Sequence, residues 1–368
     1  MPNPVQDMRM PAARTQAPPR STGVTAILPG LALAVLVALA ARLVHQSLPK
    51  NVGTILGEVL FAVVIGLVVG NAVKIPDAMR PGLKFAFHGV LRTAIVLLGA
   101  TFSFRQVLQI GGKAVLLVVI LMTLALVAAH LLGRAAKIPG RLATLIGVGT
   151  AVCGNSAIAA TAPVIRARDD EVSFAIATNT VFGTLAVLLY PLIGKLAHMG
   201  DAAYGTWAGT AVNDTSQVVA AGFAYGDLAG RVATAVKLTR NALMGGVILA
   251  IGIAYARSGA EVATEGGAWG RIKQSFPIFV VGFLLMALLN TLGFFIWLSA
   301  HVHVDVPRVL LETSRALILV ALAAVGLSTR LASMRETGLK PFLIGLGVAA
   351  LTSGATLLLI RILGPASL

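Results

Sequence analysis

The stretch that most constrains this chain runs from Gly147 to Ile165 and reads Gly-Val-Gly-Thr-Ala-Val-Cys-Gly-Asn-Ser-Ala-Ile-Ala-Ala-Thr-Ala-Pro-Val-Ile. It is apolar enough for a bilayer, yet Gly147, Gly149, Gly154, Asn155, Ser156 and Pro163 give its middle poor helix propensity and several polar groups. Lipid offers the backbone no hydrogen-bond partners, so chain that leaves helical geometry at membrane depth must be covered by protein or line a cavity. The sequence therefore predicts a broken or re-entrant helix, with the break near residues 150–158. A second stretch, Gly209-Thr-Ala-Val-Asn-Asp-Thr-Ser-Gln-Val-Val-Ala-Ala-Gly222, has the same character and sets Asp214 among hydroxyl and amide side chains, with a break expected near 210–217. Two such segments facing one another form a recurrent plan for a binding site inside a membrane.

Of the 368 residues, 57% are hydrophobic and only 12% charged, against about 25% charged in soluble domains. The fold class is an all-α polytopic membrane protein. Lys and Arg (29) outnumber Asp and Glu (14), a net of +15, which in a soluble chain would point to nucleic acid. Here the bases sit mainly between apolar runs, where the positive-inside bias puts them, and no nucleic-acid partner is expected. Cys153 is the single cysteine, so the fold uses no intrachain disulfide framework. Residues 1–22 are Pro-rich, polar and basic without an apolar run, which reads as a disordered cytoplasmic tail rather than a secretory signal.

Apolar runs of roughly 18–25 residues number about eleven. A first membrane half, 23–196, holds the break near 150–158, and a second, 197–368, the break near 210–217. A hydrophilic linker, Arg257 to Gln274, interrupts the second half, and the run after it, Phe276 to Ala300, reads as one span. Basic residues such as Arg14, Arg80, Arg134, Lys137 and Arg271 collect in the connections on one side, which puts the N-terminus in the cytoplasm. The loop from Arg166 to Glu171 fits the same side, which would make both broken segments re-entrant hairpins. A repeat is also visible: Asn71 ends one helix and its successor runs to Leu97-Leu-Gly-Ala-Thr-Phe-Ser103, while Asn290 ends another whose successor runs to Ala324-Val-Gly-Leu-Ser-Thr-Arg330. The copies are an odd number of segments apart, so they form inverted repeats. The two breaks do not occupy equivalent places in this alignment.

Three groups of residues can carry chemistry. At Cys153-Gly154-Asn155-Ser156 a restarting helix would direct N–H groups and amide or hydroxyl donors at an anion, although small residues also serve plain helix packing. Asp214 is costly at membrane depth; Asn213, Thr215, Ser216 and Gln217 beside it offer oxygen ligands for sodium or tune a proton site, the rival reading being a structural ion pair. Lys237 and Arg240 lie three apart on one helical face, with Asn241 beside them, and Arg92, His88 and Arg315 add further intramembrane bases. Cations in excess of acids favour an anionic substrate, with snorkelling as the bland alternative and a Glu312 pair as one for Arg315. His301-Val-His-Val-Asp305 alternates metal-ligand types but lacks a second ligand cluster, and no nucleotide-binding loop, dinucleotide fingerprint or nucleophile triad is present, so an enzyme, a cofactor or a metal site is not expected.

The segments Gly149-Thr-Ala-Val-Cys-Gly-Asn-Ser-Ala-Ile158, Ala211-Val-Asn-Asp-Thr-Ser-Gln-Val-Val-Ala-Ala-Gly222 and Val236-Lys-Leu-Thr-Arg240, together with Phe276-Pro-Ile-Phe-Val-Val-Gly-Phe283 and Ala324-Val-Gly-Leu-Ser328, resemble the signature segments of the YeiH-like family of bacterial inner-membrane proteins. The resemblance covers almost everything after the tail. It implies export of sulfate across the inner membrane and, by fold analogy, inverted repeats with crossing broken helices. The expected function is a secondary active transporter that exports a small inorganic oxyanion by alternating access. Cys153, Gly154, Asn155, Ser156, Lys237 and Arg240 would bind the substrate, and Asp214 with Asn213, Thr215, Ser216 and Gln217 would hold the coupling proton or sodium. The expected partners are the anion, the coupling ion, the lipid bilayer and, through Gly-rich faces, a second copy of the chain. The alternatives are a passive anion channel, a carrier of organic anions and, more distantly, a membrane sensor or enzyme.

Overall fold

The computed structural model describes residues 24–47, 58–257, 278–329 and 339–365. The N-terminal tail, the linker after Arg257, and Arg330, the last residue of the repeat's second copy, lie outside the described residues. Every regular element among the described residues is helical, as the composition requires. The first half comprises α1 (Val24–Ser47), the short α2 (Glu58–Ala72), α3 (Asp77–Thr101), α4 (Phe104–Ala135), α5 (Gly140–Ala151), α6 (Asn155–Thr161) and α7 (Asp169–Leu196). The second comprises α8 (Asp201–Ala211), α9 (Thr215–Tyr225), α10 (Asp227–Ala242), α11 (Met244–Arg257), α12 (Ile278–Thr291), α13 (Phe294–Val302), α14 (Val306–Ser328) and α15 (Leu339–Leu363). Seven described helices are long and apolar enough to cross a bilayer, α10 and α11 counting together as the span Asp227–Arg257.

Where they are described, the apolar runs fall on helices, but only seven of those helices, or eight with the bent pair α12–α13, are long and apolar enough to be spans. The run read as Phe276 to Ala300 is bent by 70° between α12 and α13, at Gly293, whose φ of +76° suits glycine. The two flagged stretches are broken as expected, α5 from α6 at residues 152–154 and α8 from α9 at 212–214.

Both broken segments fold back on themselves, and the span α10–α11 measures their depth. Near its start it meets the open end of the second hairpin: Gly205 of α8 lies against Ala229 and Val232, and Gly222 of α9 against Gly230. The arms of that hairpin touch directly, since Tyr204 stacks on Tyr225 at 3.8 Å and its hydroxyl donates to the Ala221 carbonyl at 3.0 Å. At mid-span, the Cys153 thiol at the first break donates to Met244 Sδ at 3.3 Å. Near its end, Tyr255 meets Thr144 Oγ1 at 2.8 Å and Gly252 faces Val164, so both arms of the first hairpin return to that level. The hairpins thus approach from opposite ends of one span and meet tip to tip at its middle. The crossing broken helices implied by fold analogy are replaced by two re-entrant tips.

The repeat seen in the sequence is a reciprocal joint. Asn71, at the end of α2, donates through Nδ2 to the Thr329 carbonyl beyond α14 at 2.9 Å. Its counterpart Asn290, near the end of α12, donates to the Phe102 carbonyl beyond α3 at 3.1 Å. Each copy's first helix therefore caps the other copy's second, and these carbonyls have no helical partner of their own. Each broken segment packs on the third helix of a copy: α4 packs on α5 through Ala129 and Gly147, while α15 packs on α8 through Trp207 Nε1 to Ser353 Oγ at 2.9 Å and Thr210 Oγ1 to Thr356 Oγ1 at 3.3 Å. The break follows its companion span in the first half and precedes it in the second.

Close backbone approach makes the α2–α14 contact. A Cβ on Gly66 would lie 2.6 Å from the Ala323 carbonyl oxygen, and one on Gly326 would run into the Val63 carbonyl. Small residues at such crossings let backbones pack where lipid supplies no hydrophobic drive. Gly326→Ala is expected to destabilise the protein by about 1–3 kcal/mol through overpacking, whereas Gly354→Ala, with nothing within 4 Å, should leave stability unchanged or slightly raised. Thermal unfolding in detergent checks both, and equal midpoints for the two variants would contradict the packing.

Candidate functional site

Breaking two helices inside a membrane leaves the last carbonyls of α5 and α8 without intrahelical partners. Two cations from α10 take them up. Arg240 donates through Nε to the Ala151 carbonyl at 3.1 Å and through Nη2 to Thr150, both on the first tip. Its Nη1 reaches Thr210 at 2.6 Å, Val212 at 3.3 Å and Gly209 at 3.4 Å on the second. Lys237 Nζ donates to Val152 at 2.7 Å on the first tip and to Val212 at 3.2 Å and Asn213 on the second. Lys237 is fully buried and Arg240 3% exposed. The positive charges also face the negative ends of two half-helices, which favours them further.

Backbone and side chains hold the tips against each other. Gly154 has φ +67°, and a Cβ there would lie 2.7 Å from Asn179 Nδ2 and 3.3 Å from Asp214 Cα, so glycine serves both the turn and the contact between tips. Its N–H is already used by the Gly149 carbonyl at 3.0 Å. Asn155 accepts from Asn179 Nδ2 at 2.8 Å and donates to Thr180 Oγ1 at 3.2 Å, which fixes the first tip on α7. Asp214 is the N-cap of α9: its Oδ1 accepts from Ser216 N at 2.9 Å and Ser216 Oγ at 2.6 Å. Asp214 Oδ2 has no hydrogen-bond partner among the described residues.

The tips form one wall of a cavity of about 290 Å³, to which Cys153, Asn155, Ser156, Asp214, Thr215 and Ser216 contribute. The opposite wall comes from α3, with His88 and Arg92, and from Phe279 of α12, over which the Arg92 guanidinium lies 5.9 Å from the ring centroid. Asn241 closes the floor and donates to Thr215 Oγ1 at 3.1 Å. The expected anion-binding and coupling residues are thus divided. Those six share the cavity, whereas Lys237 and Arg240 stand behind the tips with their donors spent on carbonyls. Asn213 faces a second cavity of about 220 Å³ between α7 and α15, and Gln217 lies against Gly183. Asn213 Oδ1 and Gln217 Oε1 are buried with no hydrogen-bond partner among the described residues, as are Asn179 Oδ1 and Asn241 Oδ1.

Asn179 and Thr180 escaped the sequence reading, although an asparagine in the apolar run of α7 is the signal that would have found them. Arg315 pairs with Asp227 at 2.7 Å rather than with Glu312, which pairs with Arg308 at 3.0 Å.

A buried carbonyl left without a donor costs about 1–3 kcal/mol. Arg240→Lys, which replaces a five-donor fork by one ammonium, should therefore lower stability by about 3 kcal/mol or more, and Lys237→Met similarly. Midpoints of thermal unfolding in detergent check this, and a parental midpoint for both variants would show that the tips do not depend on these cations.

The family described as Conserved hypothetical protein 698 matches residues 29–345. Similar proteins include a UPF0324 membrane protein of Clostridium tetani, 33% identical over 344 residues that make up 91% of this chain and 97% of the relative. A UPF0324 membrane protein of Streptococcus pyogenes is 37% identical over 86% of this chain and 92% of the relative, and one of Nitratidesulfovibrio vulgaris 32% identical over 91% and 92%. The matched region contains both tips, the α10 cations and both halves of the repeat: the chain belongs to the UPF0324 family of membrane proteins, the family that its sequence motifs resemble.

Proposed function

We propose that this protein is a secondary active transporter that exports a small inorganic oxyanion, sulfate or a related sulfur anion, across a bacterial inner membrane by alternating access. The observation that carries the reading is the meeting of two re-entrant tips at mid-span beside a polar cavity, the arrangement in which carriers bind solutes midway between the two faces. On this reading the cavity takes the anion. Asn155, Ser156 and Thr215 offer side-chain donors, Arg92 supplies a charge with a planar fork suited to oxyanions, and Cys153 and Gly154 shape the tip. Lys237 and Arg240 act on the anion through the tips they hold, adding positive potential without touching it.

Asp214 carries the coupling step. Its Oδ1 is committed to the cap with Ser216, and the residue lines the cavity, where its carboxylate would take a proton or a sodium ion. Thr215 and Ser216, which share the cavity with Asp214, offer further oxygen ligands suited to sodium, a hard cation. The charge bias of the connections supports a cytoplasmic N-terminus. The protein moves its substrate without chemical change, and its small-residue faces suit a homodimer.

Flux of labelled sulfate into proteoliposomes under imposed proton or sodium gradients tests this. The parent protein should show gradient-driven flux, and Asp214→Asn should lose at least about tenfold of it, a change of about 1.4 kcal/mol in the coupled step. Parental gradient-driven flux in Asp214→Asn would remove this residue from coupling and favour a passive anion pathway. No flux with sulfate, sulfite or thiosulfate under any gradient would overturn the oxyanion reading.

A further inference from the structure

The helix α3 carries four bases at four-residue intervals, Arg80, Lys84, His88 and Arg92, all with exposed side chains. In an α-helix of 3.6 residues per turn, each four-residue step drifts by about 40°, which would carry such a row a third of the way around the helix. In α3 the segment Ala86–Val90 is a π-helical turn. Its wider winding takes back part of the drift and keeps the row on one side of the helix; such turns recur at functional sites.

The row joins two cavities. Arg80, Lys84 and His88 line one of about 350 Å³, walled by Ile75, Leu327 and Ser328. His88 and Arg92 line the 290 Å³ cavity at the tips, and His88 and Phe87 belong to both. The outer cavity lies towards the end of α3 that packs beside the first half of α1, where Gly30 approaches Met79 and Gly82. Arg80, at the mouth, is paired with Asp77 at 2.8 Å. Deeper in, Lys84 and Arg92 have no carboxylate partner among the described residues, and His88 Nδ1 faces the Lys84 carbonyl at 3.1 Å.

Snorkelling explains a base near a helix end. It does not explain Arg92, which stands nine residues, or about 13 Å, from the nearer end of the span Asp77–Thr101. Unpaired bases this deep are costly and mark ion pathways. The bases on α10 at similar depth are consumed by carbonyls; these are not.

We propose that Lys84, His88 and Arg92 form a relay of anion-binding positions, with Arg80 at its mouth, along which a small inorganic anion passes between the surface cavity and the cavity at the tips. The proposal rests on the transport reading above and adds the route and the residues that select for negative charge. Each base replaces part of the hydration the anion gives up, and successive sites one turn apart let it advance without being held too tightly at any of them.

The test uses the full chain in proteoliposomes with labelled sulfate, sulfite and thiosulfate. Lys84→Gln and Arg92→Gln should each lower flux at sub-saturating anion about tenfold, the loss of one charge-assisted hydrogen bond. Arg92→Lys should retain most of it. A second readout that does not depend on how Arg92→Gln folds comes from Lys84→Cys: a positively charged methanethiosulfonate reagent should restore flux and a negatively charged one should not. The parent, whose Cys153 is buried, serves as the reagent control. Parental flux in both glutamine variants, or equal effects of the two reagents, would overturn the relay while leaving transport standing. A parent inert towards all three anions would overturn transport and the relay together.

Discussion

Two cations on one helix hold the centre of this protein together. Burying Lys237 and Arg240 costs several kcal/mol for each charge if they stand alone, and leaving the carbonyls of Thr150, Ala151, Val152, Gly209, Thr210, Val212 and Asn213 bare in a membrane costs about 1–3 kcal/mol for each. Each liability answers the other, since these carbonyls are the partners of Lys237 and Arg240. The hairpins cannot keep their breaks without the cations, and the cations cannot be buried without the breaks. The spacing on α10 follows from this, because residues 237 and 240 share one face and so reach both tips at one level.

That mutual dependence also explains the surroundings. With the C-terminal carbonyls of α5 and α8 satisfied from behind, the far sides of the tips can be polar: Asn155 is fixed by Asn179 and Thr180, and Asp214 by Ser216. Around them stands a frame built differently. The α2–α14 contact and the reciprocal caps of Asn71 and Asn290 tie the two repeat copies through close backbone approach and carbonyl caps. The cavity at the tips lies between the two bodies, with α3 and α12 on one side and the hairpins on the other.

What could be read from the sequence was what a single segment expresses. Glycine, proline and asparagine inside apolar runs violate helix propensity, so Gly154, Asn155 and Asp214 announced both breaks, and the charge of the Arg166–Glu171 loop pointed to hairpins. Long-range partnership was not expressed there. Lys237 meets Val152 across 85 residues, and nothing in the local spacing of either distinguishes a carbonyl clamp from a substrate ligand. Glu312 shows the same limit at short range: it lies three residues from Arg315 and four from Arg308, and the ion pair forms with Arg308 because Asp227 takes Arg315. The bend at Gly293 was hidden because the flanking runs are uniformly apolar, so composition resembled one span.

The intramembrane bases, alike in sequence, fall into two physical classes. Lys237 and Arg240 are members of the backbone's hydrogen-bond inventory; their charge is spread over carbonyl dipoles and half-helix ends, and neither lines the cavity at the tips. Lys84 and Arg92 have neither carbonyl clamp nor carboxylate among the described residues, so their field extends into the cavities they line. Depth and residue type do not separate the classes; the number of acceptors already engaged does. A base with its donors occupied maintains the shape of a site, and a base with donors free acts on what enters it.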